Sequence, residues 1–318
     1  RRGFVEQFTD PKIFEKIDNE KVTCYAGFDP TSNSLHVGNL VPIMLLRWFQ
    51  DYGHNGIALV GGGTALIGDP SGKTELRKMI TKETIDSNSE GIKMNLKQFL
   101  SIPESIKMLN NYEWLGQLQY IDFLRDIGAL FSVNRMLAAE SYKIRLEKGL
   151  SFIEFNYQIL QAYDFLKLFE NENCNLQLGG SDQWGNIVAG IDLIRRKYQK
   201  ESYGLTVPLI VTASGQKMGK SEGNAVWLSG EKLKPYDYYQ FWINTDDRDV
   251  KRFLLLYTML DEDYIDEITS KDGHHLNEAK EILAYEATKL CHGEEEANKA
   301  KTGAKIFKGI IDDTTKNN

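Results

Sequence analysis

Four short runs of apolar and β-branched residues constrain the fold of this chain most strongly. They are KVTCYAGF (residues 21–28), GIALVGGG (56–63), NLQLGG (175–180) and GLTVPLIV (204–211). The first two runs lead through turn residues into helical patterns, and a helical pattern with Ser181 and Asp182 as good N-caps separates the last two. Strands that alternate with helices pair in parallel through crossover connections. The chain is therefore predicted to contain a parallel sheet.

The remaining long segments have helical periodicity. Residues 74–169 form a helical region that is too long for one crossover, so we expect an insertion at about 92–150 within it. From Pro235 onward the helical period continues without a further strand signal. We predict an α/β fold, a Rossmann-like parallel sheet with a helical insertion, followed by an all-helical domain. The predicted boundaries are 1–208 for the sheet domain, 209–234 for a linker with a lysine-bearing loop, and 235–318 for the helical domain.

Charge and cysteine content exclude several classes of protein. The 318 residues carry a net charge of −7, which argues against a broad basic face that coats nucleic acid and leaves room only for a local basic patch. The three cysteines lie far apart without a CxxC pair, so neither a disulfide framework nor a zinc ribbon is indicated. No apolar run approaches the roughly 20 residues that a bilayer span requires. We expect a protein without a membrane partner in a reducing compartment.

The segment GGGTALIGDPSGKT, residues 61–74, resembles a phosphate-binding P-loop at first sight. A P-loop has four residues between its first glycine and the Gly-Lys pair, so that backbone N–H groups wrap the phosphate. Here Gly68 and Gly72 enclose only three residues, and Ile67 stands where the first glycine belongs. Pro70 also lacks an N–H. The segment is predicted to be a glycine-rich strand end that serves a different pocket.

Two other loops carry groups suited to phosphate. GFDPTSNSLHVGNL delivers His36 and Gly38 to a helix start, where unpaired N–H groups attract phosphate. SGQKMGKS presents Lys217 and Lys220 on a glycine-flanked loop that can close over a polyphosphate. Each loop alone is also compatible with a surface histidine or with solvated lysines. Together, in this order, they match the HIGH and KMSKS signatures of class I aminoacyl-tRNA synthetases.

Six ordered blocks resemble bacterial-type tyrosyl-tRNA synthetases over nearly the whole chain. They are YAGFDPTSNSLHVGN, LVGGGTALIGDPSGKTELR, FLRDIGALFSVNRML, SFIEFNYQILQAYDF, LQLGGSDQWGN and FWINTDDRDV. The chain departs from the family at Asn39, which replaces the final His of HIGH, and at Gly219, which replaces the first Ser of KMSKS. Asn39 can still bond a ribose or phosphate. The resemblance implies activation of tyrosine by ATP to tyrosyl-adenylate, followed by transfer to tRNA.

The resemblance also implies the residues that bind tyrosine. A pocket for this amino acid needs an acceptor for the phenol and another for the ammonium group. The implied residues are Asp164 and Tyr25 for the phenol, Asp69, Tyr157 and Gln161 for the ammonium group, and Gln183 near the carboxylate. Tyr157, Gln161 and Asp164 are spaced i, i+4, i+7, which lies along one helix face. The same spacing is typical of a partly buried helix with its polar side toward solvent.

A second set of residues is implied for ATP and for catalysis. The catalytic residues are predicted to be Thr31, His36, Lys73, Arg77, Lys217 and Lys220. Further ATP contacts are predicted at Asp29, Gly38, Asn39, Gly180, Asp182 and Ser221. Because the tyrosine carboxylate is already ionised, alignment and electrostatic stabilisation suffice without a general base. Mg²⁺ is expected to accompany the ATP phosphates, and no protein-bound structural metal is expected.

The resemblance extends to partners. It implies L-tyrosine, ATP and tRNA(Tyr) as substrates, and a homodimer, since Phe152 matches a position that the family uses at its two-fold interface. A cytoplasmic location is expected for a bacterial-type enzyme, with an organellar matrix as the alternative. The chain stops at Asn318, before the family's small S4-like RNA-binding domain, which is therefore expected to be absent from it.

Three other functions share some of these features. A tryptophanyl enzyme would use the same phosphate machinery, although Asp164 opposite Tyr25 suits a phenol better than an indole. A small nucleotidyltransferase, of the wider class with similar His-x-Gly-His chemistry, would not need the helical domain. An RNA-binding or splicing factor derived from a synthetase is the third alternative, and intact pocket residues argue against a loss of catalysis.

Overall fold

The structure is a computed structural model that describes residues 1–71, 79–221, 224–270 and 274–316. The chain divides into two compact units. Residues 5–33 and 45–208 form one of them, here called the sheet unit. Residues 1–4, 34–44 and 209–318 form the other, here called the helical unit.

The sheet unit is built on a mostly parallel sheet. Among the described residues its strands are β1 (Gln7–Phe8), β2 (Thr23–Phe28), β3 (Asn55–Val60), β4 (Ile106–Asn110), β5 (Leu176–Gly180) and β6 (Tyr203–Val207). Their order is β1-β6-β5-β2-β3-β4, with β1 antiparallel to β6 and the other pairs parallel. The predicted parallel α/β sheet is confirmed. The last predicted strand ends at Val207 instead of Val211, because the next residue, Pro208, has no N–H for the ladder.

Strand β4 corrects the prediction that residues 74–169 are helical throughout. It lies at the sheet edge, and of its five residues only Ile106 is buried. Its sequence, IKMLN, lacks the regular alternation of apolar and polar side chains that indicates a strand. Pairing with β3 creates it, in a register that sets Gly56 opposite Ile106. A Cβ on Gly56 would lie 2.4 Å from Ile106 Cδ1, so the glycine makes room for this side chain. The strand is therefore a product of tertiary pairing.

Helices of the first 208 residues connect and cover the strands. They are α1 (Lys12–Asn19), α2 (Leu40–Asp51), α3 (Lys82–Phe99), α4 (Tyr112–Leu115), α5 (Tyr120–Asp126), α6 (Val133–Leu137), α7 (Glu140–Leu146), α8 (Phe152–Phe155), α9 (Tyr157–Glu172) and α10 (Trp184–Tyr198). Tyr25 and Ile57 of the sheet share one buried cluster with Phe165 of α9 and Leu193 of α10. Burial of large apolar side chains contributes about 1.5–3 kcal/mol each. This core fixes α9 against β2.

The helical unit confirms the helical region predicted after Pro235. Its described elements are the hairpin strands β7 (Lys220–Ser221) and β8 (Asn224–Ala225) and helices α11 (Pro235–Ile243), α12 (Val250–Tyr257), α13 (Glu262–Thr269), α14 (His274–His292) and α15 (Glu294–Lys316). Trp242 is fully buried and packs against Phe253 and Tyr257 of α12. Arg2 donates to the carbonyls of Leu255 and Thr258 and so caps the end of α12. Over the described ranges, no helix combines the length and apolarity needed to cross a bilayer.

Candidate active site

The glycine triplet at the end of β3 makes room for polar side chains. A Cβ on Gly61 would lie 1.9 Å from Asp29 Oδ1, and one on Gly62 would lie 2.4 Å from Asn110 Oδ1. Thr64 opens the following turn, and its hydroxyl donates to Asp29 at 2.7 Å. The triplet thus lets the ends of β2, β3 and β4 meet closely. Close packing at the strand end therefore explains the glycine triplet, and residues 72–74 of the P-loop-like segment lie outside the described residues.

Asp164 and Tyr25, the predicted phenol-binding pair, lie in the buried interior of the sheet unit. Each side chain is 2% exposed. Burial, with a smaller contribution from Asp29, raises the pKa of Asp164 to about 7. Burial and the charge of Asp164 raise the pKa of Tyr25, so its phenol stays neutral. The Tyr25 hydroxyl is buried without a hydrogen-bond partner among the described residues, an arrangement that favours a polar ligand at this point.

Two residues that the sequence analysis missed hold the Asp164 carboxylate. Trp114 Nε1 donates to Oδ1 at 2.7 Å, and Asn111 Nδ2 donates to Oδ2 at 2.8 Å. Both donors lower the pKa of Asp164 and so oppose the effect of burial. They follow β4, at the carboxyl edge of the parallel strands where ligands bind in open α/β sheets. Recognition of β4 as a strand would have drawn attention to Asn111.

The predicted ammonium-binding residues form a second polar group. Asp69 accepts from Ser71 N at 2.9 Å and from Gln183 Nε2 at 2.7 Å. The Tyr157 hydroxyl donates to Asp29 Oδ2 at 2.8 Å. Asp29, predicted as an ATP contact, therefore lies with the tyrosine residues and shares its carboxylate between Tyr157 and Thr64. Two carboxylates at this end suit a cationic group.

Side-chain amides link the residues at the ammonium and carboxylate end of the predicted tyrosine pocket. Asn186 Nδ2 lies 2.9 Å from Gln161 Oε1 and 3.2 Å from Gln183 Oε1. Gln161 Nε2 donates to Gln177 Oε1 at 3.0 Å. Asn186 is buried at the start of α10, and no signal in the sequence distinguished it from an ordinary helix residue. Because each amide is both donor and acceptor, the network fixes the orientations of Gln161 and Gln183.

Gly180 and Asp182, predicted as ATP contacts, lie in the turn from β5 into α10. Gly180 ends β5, and residues Ser181–Gln183 form a 3₁₀ turn before Trp184. Asp182 is half-buried. Thr31 lies on the exposed loop after β2, where its N–H donates to Asp29 O at 2.8 Å. These residues all belong to the sheet unit.

The helical unit brings the two predicted phosphate loops together. His36 Nδ1 accepts from Gly38 N at 3.0 Å, and Asn39 Oδ1 accepts from His36 N at 3.1 Å, which closes a capping box. The first of these hydrogen bonds fixes the orientation of the His36 ring at the start of the turn, and the second fixes the Asn39 side chain. A Cβ on Gly38 would lie 2.9 Å from Met218 O. The turn of residues 36–39 therefore packs directly on the KMGKS loop.

Gly219 explains the departure from the KMSKS pattern. Its φ is +93°, and an added Cβ would lie 2.5 Å from Gly38 N. A residue with a side chain is strained in this left-handed region, and here it would also clash with the facing turn. Glycine is therefore the residue that this loop conformation requires.

The predicted lysines lie in different local structures. Lys217 is exposed and forms an isolated antiparallel bridge with Val211, and Lys220 and Ser221 form β7. Lys73 and Arg77, the other predicted catalytic cations, lie outside the described residues.

The sheet unit contains a cavity of about 260 Å³. Its lining includes Phe131, Met136, and Trp184 and Val188 of α10. None of the residues predicted to bind tyrosine or ATP lines it. Within the ranges that the structure describes, no group of three or more His, Cys, Asp or Glu residues could hold a metal ion.

The family model for class I tRNA synthetases of the W and Y type matches residues 17–307. The match covers far more than half of the chain, so the chain belongs to this family. A tyrosine–tRNA ligase of Desulfosudis oleivorans is 58% identical over 315 residues, which are 98% of this chain and 73% of the relative. One of Clostridium beijerinckii is 51% identical over 314 residues, which are 98% of this chain and 77% of the relative.

Solved structures give the same result. A C-terminally truncated mitochondrial tyrosyl-tRNA synthetase of Aspergillus nidulans superposes with a TM-score of 0.86 at 30% identity, over 96% of this chain and 92% of that one. The predicted resemblance is confirmed, and the relatives support the bacterial-type tyrosyl branch of the family. This chain has the activity of a tyrosine–tRNA ligase, an ATP-dependent class I aminoacyl-tRNA synthetase. The tryptophanyl and nucleotidyltransferase alternatives are thereby set aside.

Proposed function

We propose that Asp164 and Tyr25 bind the phenolic hydroxyl of L-tyrosine, while Asp69, Tyr157 and Gln161 hold its ammonium group and Gln183 faces its carboxylate. One observation supports this most. The buried Asp164 carboxylate accepts from two donors, and its charge raises the pKa of a buried Tyr25 hydroxyl that has no partner among the described residues. A ligand hydroxyl at this point would donate to Asp164 and also supply a partner for Tyr25.

In the first reaction an oxygen of the tyrosine carboxylate forms a bond to the α-phosphorus of ATP. The bond from that phosphorus to the bridging oxygen breaks, and its electron pair leaves with pyrophosphate. Thr31, His36, Lys217 and Lys220 stabilise the charge, together with Lys73 and Arg77 outside the described residues. Mg²⁺ accompanies the ATP phosphates as part of the substrate.

The other proposed ATP contacts hold the nucleoside and the phosphates. Gly180 admits the nucleoside close to the backbone, and Asp182 accepts from the ribose hydroxyls. Gly38, Asn39 and Ser221 lie on the two loops proposed to hold the phosphates. In the second reaction the tyrosyl group passes from the adenylate to the terminal ribose of tRNA(Tyr), and AMP leaves.

Exposed apolar side chains in the insertion and at Phe152, just after it, support a homodimer. Phe152 is 72% exposed, Ile121 64%, Tyr120 63% and Val133 56%. Such a group of exposed apolar side chains in one segment is typical of a protein–protein interface. The occupant proposed here is a second copy of the chain. The bacterial relatives support a cytoplasmic location.

Exchange of labelled pyrophosphate into ATP tests the substrate directly. Exchange should depend on L-tyrosine and should be far slower with L-phenylalanine or L-tryptophan at equal concentration, because neither places a hydroxyl between Asp164 and Tyr25. The matched control is the same assay without amino acid. Exchange that depends on tryptophan and not on tyrosine would contradict the proposed pocket.

A further inference from the structure

Helix α9, which carries three of the proposed tyrosine contacts, begins without a local cap. Asn156 separates it from α8 and occupies its N-cap position, yet the Asn156 side chain makes no capping hydrogen bond. Its amide donates back to Phe152 O at 2.7 Å instead. The first-turn N–H groups of a helix have no partner within the helix, so they must find acceptors elsewhere. Ile159 N donates to the carbonyl of the adjacent Asn156, whereas Gln158 N takes an acceptor from another helix, the hydroxyl of Tyr142.

The hydroxyl of Tyr142 bridges this helix break. It donates to Phe155 O, at the end of α8, at 2.8 Å, and it accepts from Gln158 N, in the first turn of α9, at 3.3 Å. Tyr142 is 1% exposed, and its ring packs on Phe155 with centroids 5.4 Å apart. Burial raises the pKa of this phenol, so it keeps the proton that it donates. One neutral hydroxyl thus partners a carbonyl and an amide across the break.

A buried ion pair fixes Tyr142 in turn. Arg145 lies one turn further along α7 and donates to Glu154 of α8 at 3.1 Å, with both side chains nearly inaccessible. Glu154 also completes a capping box with Ser151 at the start of α8. A buried pair of this kind is sensitive to the loss of either partner and so favours one arrangement of α7 against α8. The ion pair therefore holds the helix that carries Tyr142 against α8.

We infer that Tyr142 is a positioning residue for the ammonium end of the tyrosine pocket, acting through the start of α9. Tyr157 is the first residue of α9 and precedes Gln158, whose N–H the Tyr142 hydroxyl binds. The Tyr157 hydroxyl reaches Asp29 at 2.8 Å, a distance that a small displacement of the helix start would break. The inference rests on the proposed role of Tyr157 and adds a residue that itself lies outside the pocket.

Tyr142→Phe tests the inference, because it keeps the buried ring and removes only the hydroxyl. The dissociation constant for L-tyrosine should rise about tenfold. Phe155 O and Gln158 N lose their shared partner, so the start of α9, which carries Tyr157, is no longer held in place. The constant for 3-(4-hydroxyphenyl)propionate, which lacks the ammonium group, should change less than about twofold. The KM for ATP should stay unchanged. Hydrogen exchange at the Gln158 amide should become faster, a readout independent of activity.

Tyr198→Phe is the matched control. It removes a hydroxyl that donates to Glu170, near the other end of α9, and should leave tyrosine binding unchanged. Equal weakening of tyrosine and of the propionate, or a lower melting temperature with unaltered tyrosine binding, would overturn the inference. Wild-type protein without tyrosine-dependent pyrophosphate exchange would instead overturn the proposed function, so the two failures are distinguishable.

Discussion

The side-chain amide of Asn111 donates a hydrogen bond to the buried carboxylate of Asp164 at 2.8 Å. Asn111 follows the edge strand β4, and Asp164 lies in the middle of α9. The same amide group lies 3.0 Å from Thr64 Oγ1, and its oxygen accepts from Gly63 N at 2.7 Å. Asn111 therefore ties the acidic floor of the proposed pocket to the glycine turn after β3.

This arrangement predicts a dependence on pH. The pKa of Asp164 is raised to about 7, and only the ionised carboxylate is a pure acceptor for the tyrosine hydroxyl. The kcat/KM for tyrosine should therefore rise as the pH increases through about 7. Trp114→Phe removes a donor that lowers this pKa, so the midpoint should move to higher pH. Pyrophosphate exchange at subsaturating tyrosine measures both profiles, and a midpoint that moves to lower pH in the variant would refute the assignment.

The two proposed phenol contacts should differ in strength. Asp164→Asn keeps the shape but removes the charge, and it should reduce kcat/KM for tyrosine by at least about 1.5 kcal/mol, roughly tenfold. Tyr25→Phe removes a neutral hydroxyl and should cost about 0.5–1.5 kcal/mol. Exchange assays with tyrosine and phenylalanine measure both. If Asp164→Asn leaves activity and phenylalanine rejection unchanged, this carboxylate does not contact the phenol.

Lys217 should act on the departing pyrophosphate and not on tyrosine. In Lys217→Ala, the single-turnover rate of adenylate formation should fall on the order of tenfold or more, because charge develops on the phosphates in the transition state. The dissociation constant for tyrosine should not change. Lys200→Ala, at an exposed position in the sheet unit, is the control. Weaker tyrosine binding with an unaltered single-turnover rate would overturn the role of Lys217.

Gly219 and Gly215 allow a matched test of the KMGKS loop. Both have positive φ, +93° and +85°, but an added Cβ meets Gly38 N only at position 219 and finds open space at 215. Gly215→Ala should therefore cost only the backbone strain, about 1 kcal/mol, whereas Gly219→Ala should also displace the turn of residues 36–39. Adenylate formation should be much slower in Gly219→Ala. Equal rates in the two variants would show that the close approach is unimportant.

Phe152 should contribute to self-association. Phe152→Asp places a charge in the proposed apolar interface and should shift sedimentation at micromolar concentration toward the monomer. Ile306→Asp, at another exposed apolar position, 60% accessible and outside the insertion, is the control and should not change the distribution. Wild-type protein that sediments as a fully active monomer would contradict the proposed dimer.

Local sequence signals predicted the framework of the sheet unit because they are determined by short-range physics. The apolar runs that became β2, β3, β5 and β6 are bounded by turn residues, and the i, i+4, i+7 spacing placed Tyr157, Gln161 and Asp164 on one helix. The short spacing between Gly68 and Gly72 argued against a P-loop. The ordered blocks indicated the family that the comparisons confirm.

Tertiary structure alone decided which groups surround those side chains. β4 exists because β3 offers an edge, and only then does Asn111 reach Asp164 from another element. The partners of Asp29, and the Tyr142 hydroxyl at the start of α9, likewise come from segments distant in sequence. Hydrogen bonds and desolvation act over a few ångströms in space, whereas sequence patterns record only neighbours along the chain. The sequence by itself therefore determined the fold class and the family, and the packing of distant segments determined the pKa and orientation of the site residues.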